Sequence, residues 1–369
     1  ASTMAQAADA IAEVMAGGPE CIKALIKGIH FEGPFLSKAK KGVHEAQFIR
    51  MPSDAELATL CRKDIGKVLL TVAPETVSTS FIKEMVTEGV VVAIGEGVTK
   101  VVPGDEVILS WIKGEGIDAP GVQYMKDSQV VNSGPITTFC DYSVVAENRV
   151  IIKPKELPFD VAILFGCAIP TGAGMALNEI NPSVEDSIVI LGLGGIGLSA
   201  LMTLSSAGIN KLIAVDISER KLEMAKSLGA THLLNAADED LLESINKITM
   251  GGADYCIESA GKTSTIELGF SLINKSSGKL LFASHPPDQE TICLSPHELI
   301  SGKQIVGSWG GATNPDRDIS KMFKLLQSSK IPLGVLITKS YRLEQINEAI
   351  GDLESGSVFR PLIVMDHGE

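Results

Sequence analysis

Gly192-Leu193-Gly194-Gly195-Ile196-Gly197 is the stretch whose residue types and spacing bear most directly on chemistry. The first glycine of such a loop permits a tight turn, and the second, Gly194, lets the backbone approach a bulky anion. The last, Gly197, lets a following helix pack closely on a preceding strand. A helix starting here would aim unpaired N–H groups and a partial positive charge at that anion. Alone, the spacing G-x-G-x-x-G is a weak signal. Here an apolar run, Ser187–Leu191, precedes it and a helical stretch, Leu198–Ala207, follows. A second apolar run, Lys211–Val215, then ends in Asp216, 19 residues beyond Gly197. That order is the fingerprint of a dinucleotide site, with the pyrophosphate on the helix N-terminus and the adenosine ribose hydroxyls on Asp216. A carboxylate at Asp216 repels a 2′-phosphate, so NAD is expected over NADP. Two plainer explanations are an unliganded glycine turn and a membrane-spanning helix, since 187–210 carries no charge. Five glycines in that stretch and a loop at its middle argue against a span.

The elements that must position this loop recur along the sequence. Six strand-like runs follow from Ser187 onward: Ser187–Leu191, Lys211–Val215, His232–Asn235, Tyr255–Glu258, Lys279–Ala283 and Gln304–Ser308. Helical patterns lie between them, seen best at Glu219–Leu228 and Asp240–Ile248, and two amphipathic helices, Asp318–Gln327 and Leu343–Leu353, come after. Six strands on that period predict a doubly wound parallel sheet. Upstream, residues 1 to about 27 read as a helix stopped by Gly17-Gly18-Pro19. Strands are expected at Lys27–Phe31, Lys67–Val72 and Val90–Ile94, with helices at Asp54–Cys61 and Ser78–Glu88, an alternation that suggests parallel βα units. Pro103-Gly104-Asp105 reads as a turn between strands Val90–Ile94 and Val107–Trp111, and Phe139–Val145 as a further strand.

Residues 1–95 resemble N-acetylglucosamine-6-phosphate deacetylases of the amidohydrolase superfamily. The matching residues are Gly28-Ile29-His30-Phe31-Glu32-Gly33-Pro34-Phe35-Leu36, Lys40-Lys41-Gly42-Val43-His44, Phe48-Ile49-Arg50 and Val72-Ala73-Pro74-Glu75. The resemblance implies a metal ligand at Glu32 and a substrate contact at His44. The histidine expected after the strand at Val90–Ile94 is replaced by Gly95-Glu96-Gly97, and one carboxylate cannot hold a catalytic divalent ion.

From about residue 89 to 365 the sequence resembles medium-chain dehydrogenases of the zinc alcohol dehydrogenase type. The match is carried by Val90–Val98, Val102-Pro103-Gly104-Asp105-Glu106-Val107, Phe165-Gly166-Cys167 with Pro170-Thr171-Gly172, the glycine loop, and Lys226-Ser227-Leu228-Gly229-Ala230. It implies cofactor contacts at Gly192, Gly194, Gly195, Gly197 and Asp216. It further implies Lys221 near the adenosine ribose, Thr171 beside the nicotinamide and Arg360 on the pyrophosphate. His285 falls at the tip of the fifth strand, toward the nicotinamide. Of the three catalytic zinc ligands, only Cys167 has a counterpart, and the zinc is doubtful. The other two, with the proton relay, belong to the first sixty to seventy residues of that family. The four cysteines of its structural-zinc lobe are absent, since Trp111–Ser133 contains none. An inert thiol is the alternative for Cys167. Nothing in the sequence places His30, Glu32 or His44 beside it.

The fold expected is therefore α/β: a Rossmann doubly wound parallel sheet, an incomplete GroES-like β catalytic domain, and an N-terminal βα segment from an amidohydrolase-like barrel. The corresponding divisions are 1–88, 89–165, 166–310 and 311–369. The implied reaction is alcohol to aldehyde or ketone by hydride transfer to NAD. The alternatives are a catalytically inactive NAD-binding chimera and, more remotely, an amino-sugar-phosphate deacetylase. A net charge of −13 and an isoelectric point near 5.0 disfavour nucleic acid or an anionic membrane as partner. The expected partner is a small-molecule alcohol or carbonyl substrate, and the chain is expected to be a homo-oligomer. Six dispersed cysteines with no C-x-x-C fit a reducing, cytoplasmic setting. No signal peptide is visible, and a start at Ala-Ser-Thr-Met points to a processed N-terminus or a fragment.

Overall fold

Strands separated by helix-sized intervals can only be brought side by side by crossovers, which makes them parallel. The chain, a computed structural model, shows this in two separate sheets. Residues 2–17, 28–32, 67–71, 91–92 and nearly all of 94–365 are described, with a few single positions between 53 and 64. The chain forms two compact units, Ala1–Glu106 with His367–Glu369, and Val107–Asp366.

In the first unit α1 (Ser2–Gly17) buries Met4 and Ala8, one turn apart on a single face. Strands β1 (Gly28–Glu32), β2 (Lys67–Thr71) and β3 (Val91–Val92) pair in parallel in that order, with Gly28 opposite Lys67 and Leu69 opposite Val91. Arg62 bonds Asp9 at 2.5 Å and Asp64 at 2.8 Å. The expected helix over residues 1–27 is described only to Gly17. His44, the Ser78–Glu88 helix and most of Asp54–Cys61 lie outside the described residues.

The second unit opens with β4 (Val107–Leu109), a hairpin of β5 (Tyr124–Lys126) and β6 (Gln129–Val131), and β7 (Val150–Ile152) antiparallel to β4. The expected turn between the strands at 91–92 and 107–109 is in place, the Asp105 N–H donating to the Val102 carbonyl at 3.1 Å, and Val91–Val92 pairs with β2. One expectation is corrected here. Phe139 and 143–145, the described part of the expected Phe139–Val145 strand, are not in a strand. Phe139 is 59% exposed and Val144 62%, so among the described residues no second layer covers these two side chains.

A buried helix, α2 (Ala168–Gly174), is prolonged by a wider-wound turn, Met175–Ile180, that stops at Asn181 in the left-handed conformation. Then come β8 (Ser187–Leu191), α3 (Gly195–Ser206), β9 (Lys211–Asp216), α4 (Glu219–Ser227), β10 (His232–Asn235), α5 (Leu241–Thr249) and β11 (Tyr255–Glu258). After them lie α6 (Thr263–Leu272), β12 (Lys279–Phe282) and β13 (Gln304–Gly307). All six strands are parallel in the order β10-β9-β8-β11-β12-β13, so the order reverses beside β8. This is the doubly wound arrangement, and it sets a crevice at the carboxyl ends of β8 and β11.

Alternation of side chains sorts the core onto the two sheet faces. Ile188, Ile190, Leu212, Ala214, Ile257 and Leu281 pack with α2, α3 and α7 (Pro315–Ser328). Val189, Leu191, Ile213, Val215, Cys256 and Leu280 pack with α5 and α6. The chain ends in β14 (Ile337–Arg342), α8 (Ile346–Glu354) and β15 (Arg360–Val364), with β15 parallel to β14. Among the described residues no single helix is long and apolar enough to cross a membrane.

Candidate functional site

The site begins where β8 ends. Gly192 turns at φ 90°, and its N–H donates to the Val215 carbonyl at 2.9 Å, which ties the turn to β9. A Cβ at Gly192 would sit 2.7 Å from the Ala260 nitrogen, so both backbone sign and space demand glycine. Gly194 precedes α3 in extended backbone, with nothing within 4 Å of where its Cβ would be. A Cβ at Gly197 would drive into the Gly192 carbonyl and lie 2.6 Å from Ser259 Oγ. The sequence thus puts an open space at the N-terminus of α3 and close packing behind it. Those first-turn N–H groups have no partner within the helix.

Arg360 closes this space from the far end of the chain. Its guanidinium lies against Gly195, where a Cβ would collide with it, and its Nε is buried without a hydrogen-bond partner. Burial pulls the Arg360 guanidinium below its ordinary pKa, and the Cys167 thiol acts in the opposite direction. A half-buried cation with an unbonded Nε at a helix N-terminus is an arrangement that an anion satisfies.

Asp216 sits at the tip of β9, 7% exposed. Its Oδ2 accepts the Leu193 N–H at 2.7 Å and its Oδ1 accepts the Ser218 N–H at 3.0 Å. The carboxylate is therefore fixed to the glycine loop, with further lone pairs left to accept from a diol. Lys221 Nζ on α4 stands 3.8 Å from Oδ2. Thr171, buried in α2, donates its hydroxyl to the Cys167 carbonyl at 2.9 Å, so towards any ligand that oxygen serves as an acceptor. Cys167 itself is exposed at the start of α2. The loop, Asp216 with Lys221, and Arg360 beside Cys167 are brought together as one ledge. His30 and Glu32 lie on β1 in the other unit, and His44 is outside the described residues.

Two features carry no local signature in the sequence. Glu258, fully buried at the tip of β11, accepts from Ala260 N–H (2.8 Å), Gly261 N–H (2.9 Å), Thr265 Oγ1 (2.8 Å) and Ser284 Oγ (2.5 Å). Ser259 then donates its hydroxyl to the Gly192 carbonyl at 2.7 Å, so this saturated carboxylate braces the tight turn. The second feature is an aromatic cluster. Trp309, 68% exposed beyond β13, meets Trp111 edge-on at 5.1 Å and His285 at 5.6 Å. These are the chain's two tryptophans, and their rarity is the one hint that the sequence offers. At Gly310 and Gly311, next in sequence, a Cβ would collide with the Ile112 side chain at 2.8 Å and with the Thr171 carbonyl at 2.5 Å, which joins the cluster to the ledge.

The donors around Cys167 do not make a metal site. Among the described residues no three His, Cys, Asp or Glu side chains converge, there or elsewhere. Structural or catalytic zinc needs at least three protein ligands. The described residues do not fit that ion, and no chemistry is routed through it.

Residues 195–328 match a family profile described as zinc-binding dehydrogenase. Among solved structures, benzyl alcohol dehydrogenase from Acinetobacter calcoaceticus is 29% identical at a TM-score of 0.66, over 74% of this chain and 81% of that one. An alcohol dehydrogenase zinc-binding domain protein from Burkholderia ambifaria is 29% identical at 0.65, over 73% and 80%. A zinc-dependent alcohol dehydrogenase from Streptococcus pneumonia is 25% identical at 0.60, over 75% and 80%. Residues 195–328 are therefore similar to zinc-binding dehydrogenases, within an α/β fold whose structural neighbours are zinc-type alcohol dehydrogenases.

Proposed function

We propose that the chain binds NAD(H) on the Gly192–Gly197 ledge and acts in oxidoreduction between a small alcohol and its aldehyde or ketone. The observation that carries this reading is Arg360, half-buried with its Nε sealed off and unbonded, laid on Gly195 beside the open space at Gly194. When bound, the nicotinamide cofactor would supply or accept the hydride. The chain's own residues would hold it: N–H groups of α3 and Arg360 at the pyrophosphate, Asp216 and Lys221 at the adenosine ribose, and Thr171 toward the nicotinamide. The anionic Asp216 favours NAD over NADP. The Trp111–Trp309–His285 cluster bounds the substrate end with apolar ring faces and one titratable nitrogen.

A second reading is a cofactor-binding protein without turnover. It is favoured by Cys167 standing without two further ligands among the described residues. For residues 1–95, the parallel order β1-β2-β3 supports an amidohydrolase-like origin, with no catalytic part for that segment. The test is titration with NADH and NADPH, followed by NADH formation across primary, secondary and sugar alcohols, with and without zinc and a chelator. NADH binding that Arg360→Ala weakens is expected; no NADH binding refutes the site. Turnover that a chelator abolishes would refute the second reading and place metal ligands outside the described residues.

A further inference from the structure

The position of Arg360 is not secured by β15 alone. Five residues, 355–359, connect α8 to Arg360, and Gly356 among them adopts φ 74°. Their N–H groups are anchored to α8 and β14: Gly356 N–H donates to the Leu353 carbonyl at 3.1 Å, Ser357 N–H to the Asp352 carbonyl at 3.0 Å, and Phe359 N–H to Thr338 Oγ1 at 3.0 Å. Two of the outward carbonyls are taken by a single side chain from the cofactor-facing helix α4. Arg220 Nη1 donates to the Gly356 carbonyl at 3.0 Å and to the Ser357 carbonyl at 2.7 Å, and its guanidinium lies 4.9 Å from the centre of the Phe359 ring. Arg220 is adjacent to Lys221, which stands beside Asp216. One turn of helix thus touches the ribose-facing acid on one side and the residue preceding Arg360 on the other.

We propose that Arg220 is a positioning residue that sets Arg360 on the glycine loop, and so couples the adenosine half of the site to the pyrophosphate half. The proposal rests on the dinucleotide reading of the ledge. Arginine suits this task physically. Its planar group can stack on a ring while one nitrogen bonds two carbonyls, a combination that lysine lacks. An arginine that recognises phosphate by directed N–H bonds depends on orientation more than a point charge does. Loosening the 356–359 segment would therefore weaken phosphate recognition while the Asp216–Lys221 end kept its geometry.

The full-length chain and its R220A, R220K, R360A and R220A/R360A variants would be titrated calorimetrically with NADH and with adenosine, which lacks phosphate. R220A is expected to weaken NADH about tenfold, or about 1.4 kcal/mol, with R220K between it and the unaltered chain. Adenosine affinity should stay within about twofold throughout, on the scale of that conversion, and its retention also reports an intact fold. In the R360A background the Arg220 substitution should add nothing. Equal losses for adenosine and NADH, or losses that multiply with those of R360A, would overturn the positioning role. Absence of NADH binding to the unaltered chain would overturn the ledge assignment as well, which separates the two failures.

Discussion

Alanine placed in turn at Gly194, Gly195 and Gly197 should produce three different outcomes from one chemical change. At Gly194 the backbone is extended and the new methyl meets nothing within 4 Å. Removing glycine's excess freedom in the unfolded chain should raise stability by about 0.4–1 kcal/mol, while the methyl occupies the space assigned to phosphate. At Gly195 the obstacle is the tip of Arg360, a flexible side chain that can swing aside. Stability should change little, and NADH affinity should fall because the cation is displaced. At Gly197 the obstacle is the Gly192 carbonyl, held in a turn that β9 and Ser259 pin on two sides. That backbone cannot yield cheaply, so the cost should reach the top of the overpacking range, about 3 kcal/mol. For a cooperative unit the size of Val107–Asp366 or the whole chain it corresponds to a fall in Tm of about 4–5 °C. Thermal melts and NADH titrations of the three variants provide the assay. A Gly194→Ala protein that bound NADH undiminished would refute the phosphate seat. A Gly197→Ala protein of unchanged Tm would refute the packing argument.

Two further outcomes are expected. Asp216→Ala should relax the preference for NADH over NADPH by about 1–3 kcal/mol, the scale of charge-assisted hydrogen bonds; equal affinities in the unaltered chain would sink the assignment. Asp318 contributes to acid stability. Burial opposes its ionisation, but Arg317 at 2.6 and 2.8 Å and the Asn314 N–H at 2.9 Å outweigh it, and its pKa lies below the ordinary value. A carboxyl depressed on folding stabilises above its unfolded pKa of about 3.9 and loses that contribution as pH falls through the folded value. Asp318→Asn should thus lower Tm at neutral pH and flatten its decline below about pH 4, and a decline as steep as before would rule Asp318 out.

The doubly wound sheet was legible because its central strands β8, β9 and β11 are buried on both faces and its punctuation is strong. Ser187–Leu191, His232–Asn235 and Tyr255–Glu258 fall at the expected residues, and the other three strands lie within one residue. The β-rich part was less legible, because strands of two or three residues carry too little periodicity to distinguish pairing partners. Val91–Val92 and Val107–Leu109 look alike in sequence, and only long-range pairing sends one to β2 and the other to β7. In the site, the loop and Asp216 are local signals. The approach of Arg360 to Gly195 spans more than 160 residues of chain, and the grip of Arg220 on Gly356 spans 136, distances at which pattern carries no information.

Arg360 also has a meaning for the ligand-free protein. A guanidinium whose Nε is buried without a hydrogen-bond partner is a locally frustrated contact: the fold holds it against its own stability. Selection for folding alone would favour an apolar side chain at this position, and Arg360→Met should leave the empty protein as stable or more so. The residue is thus a mark of a trade between stability and recognition. In the proposed complex the cofactor pyrophosphate would relieve that cost, so the ledge would select for charge before any base or ring is recognised.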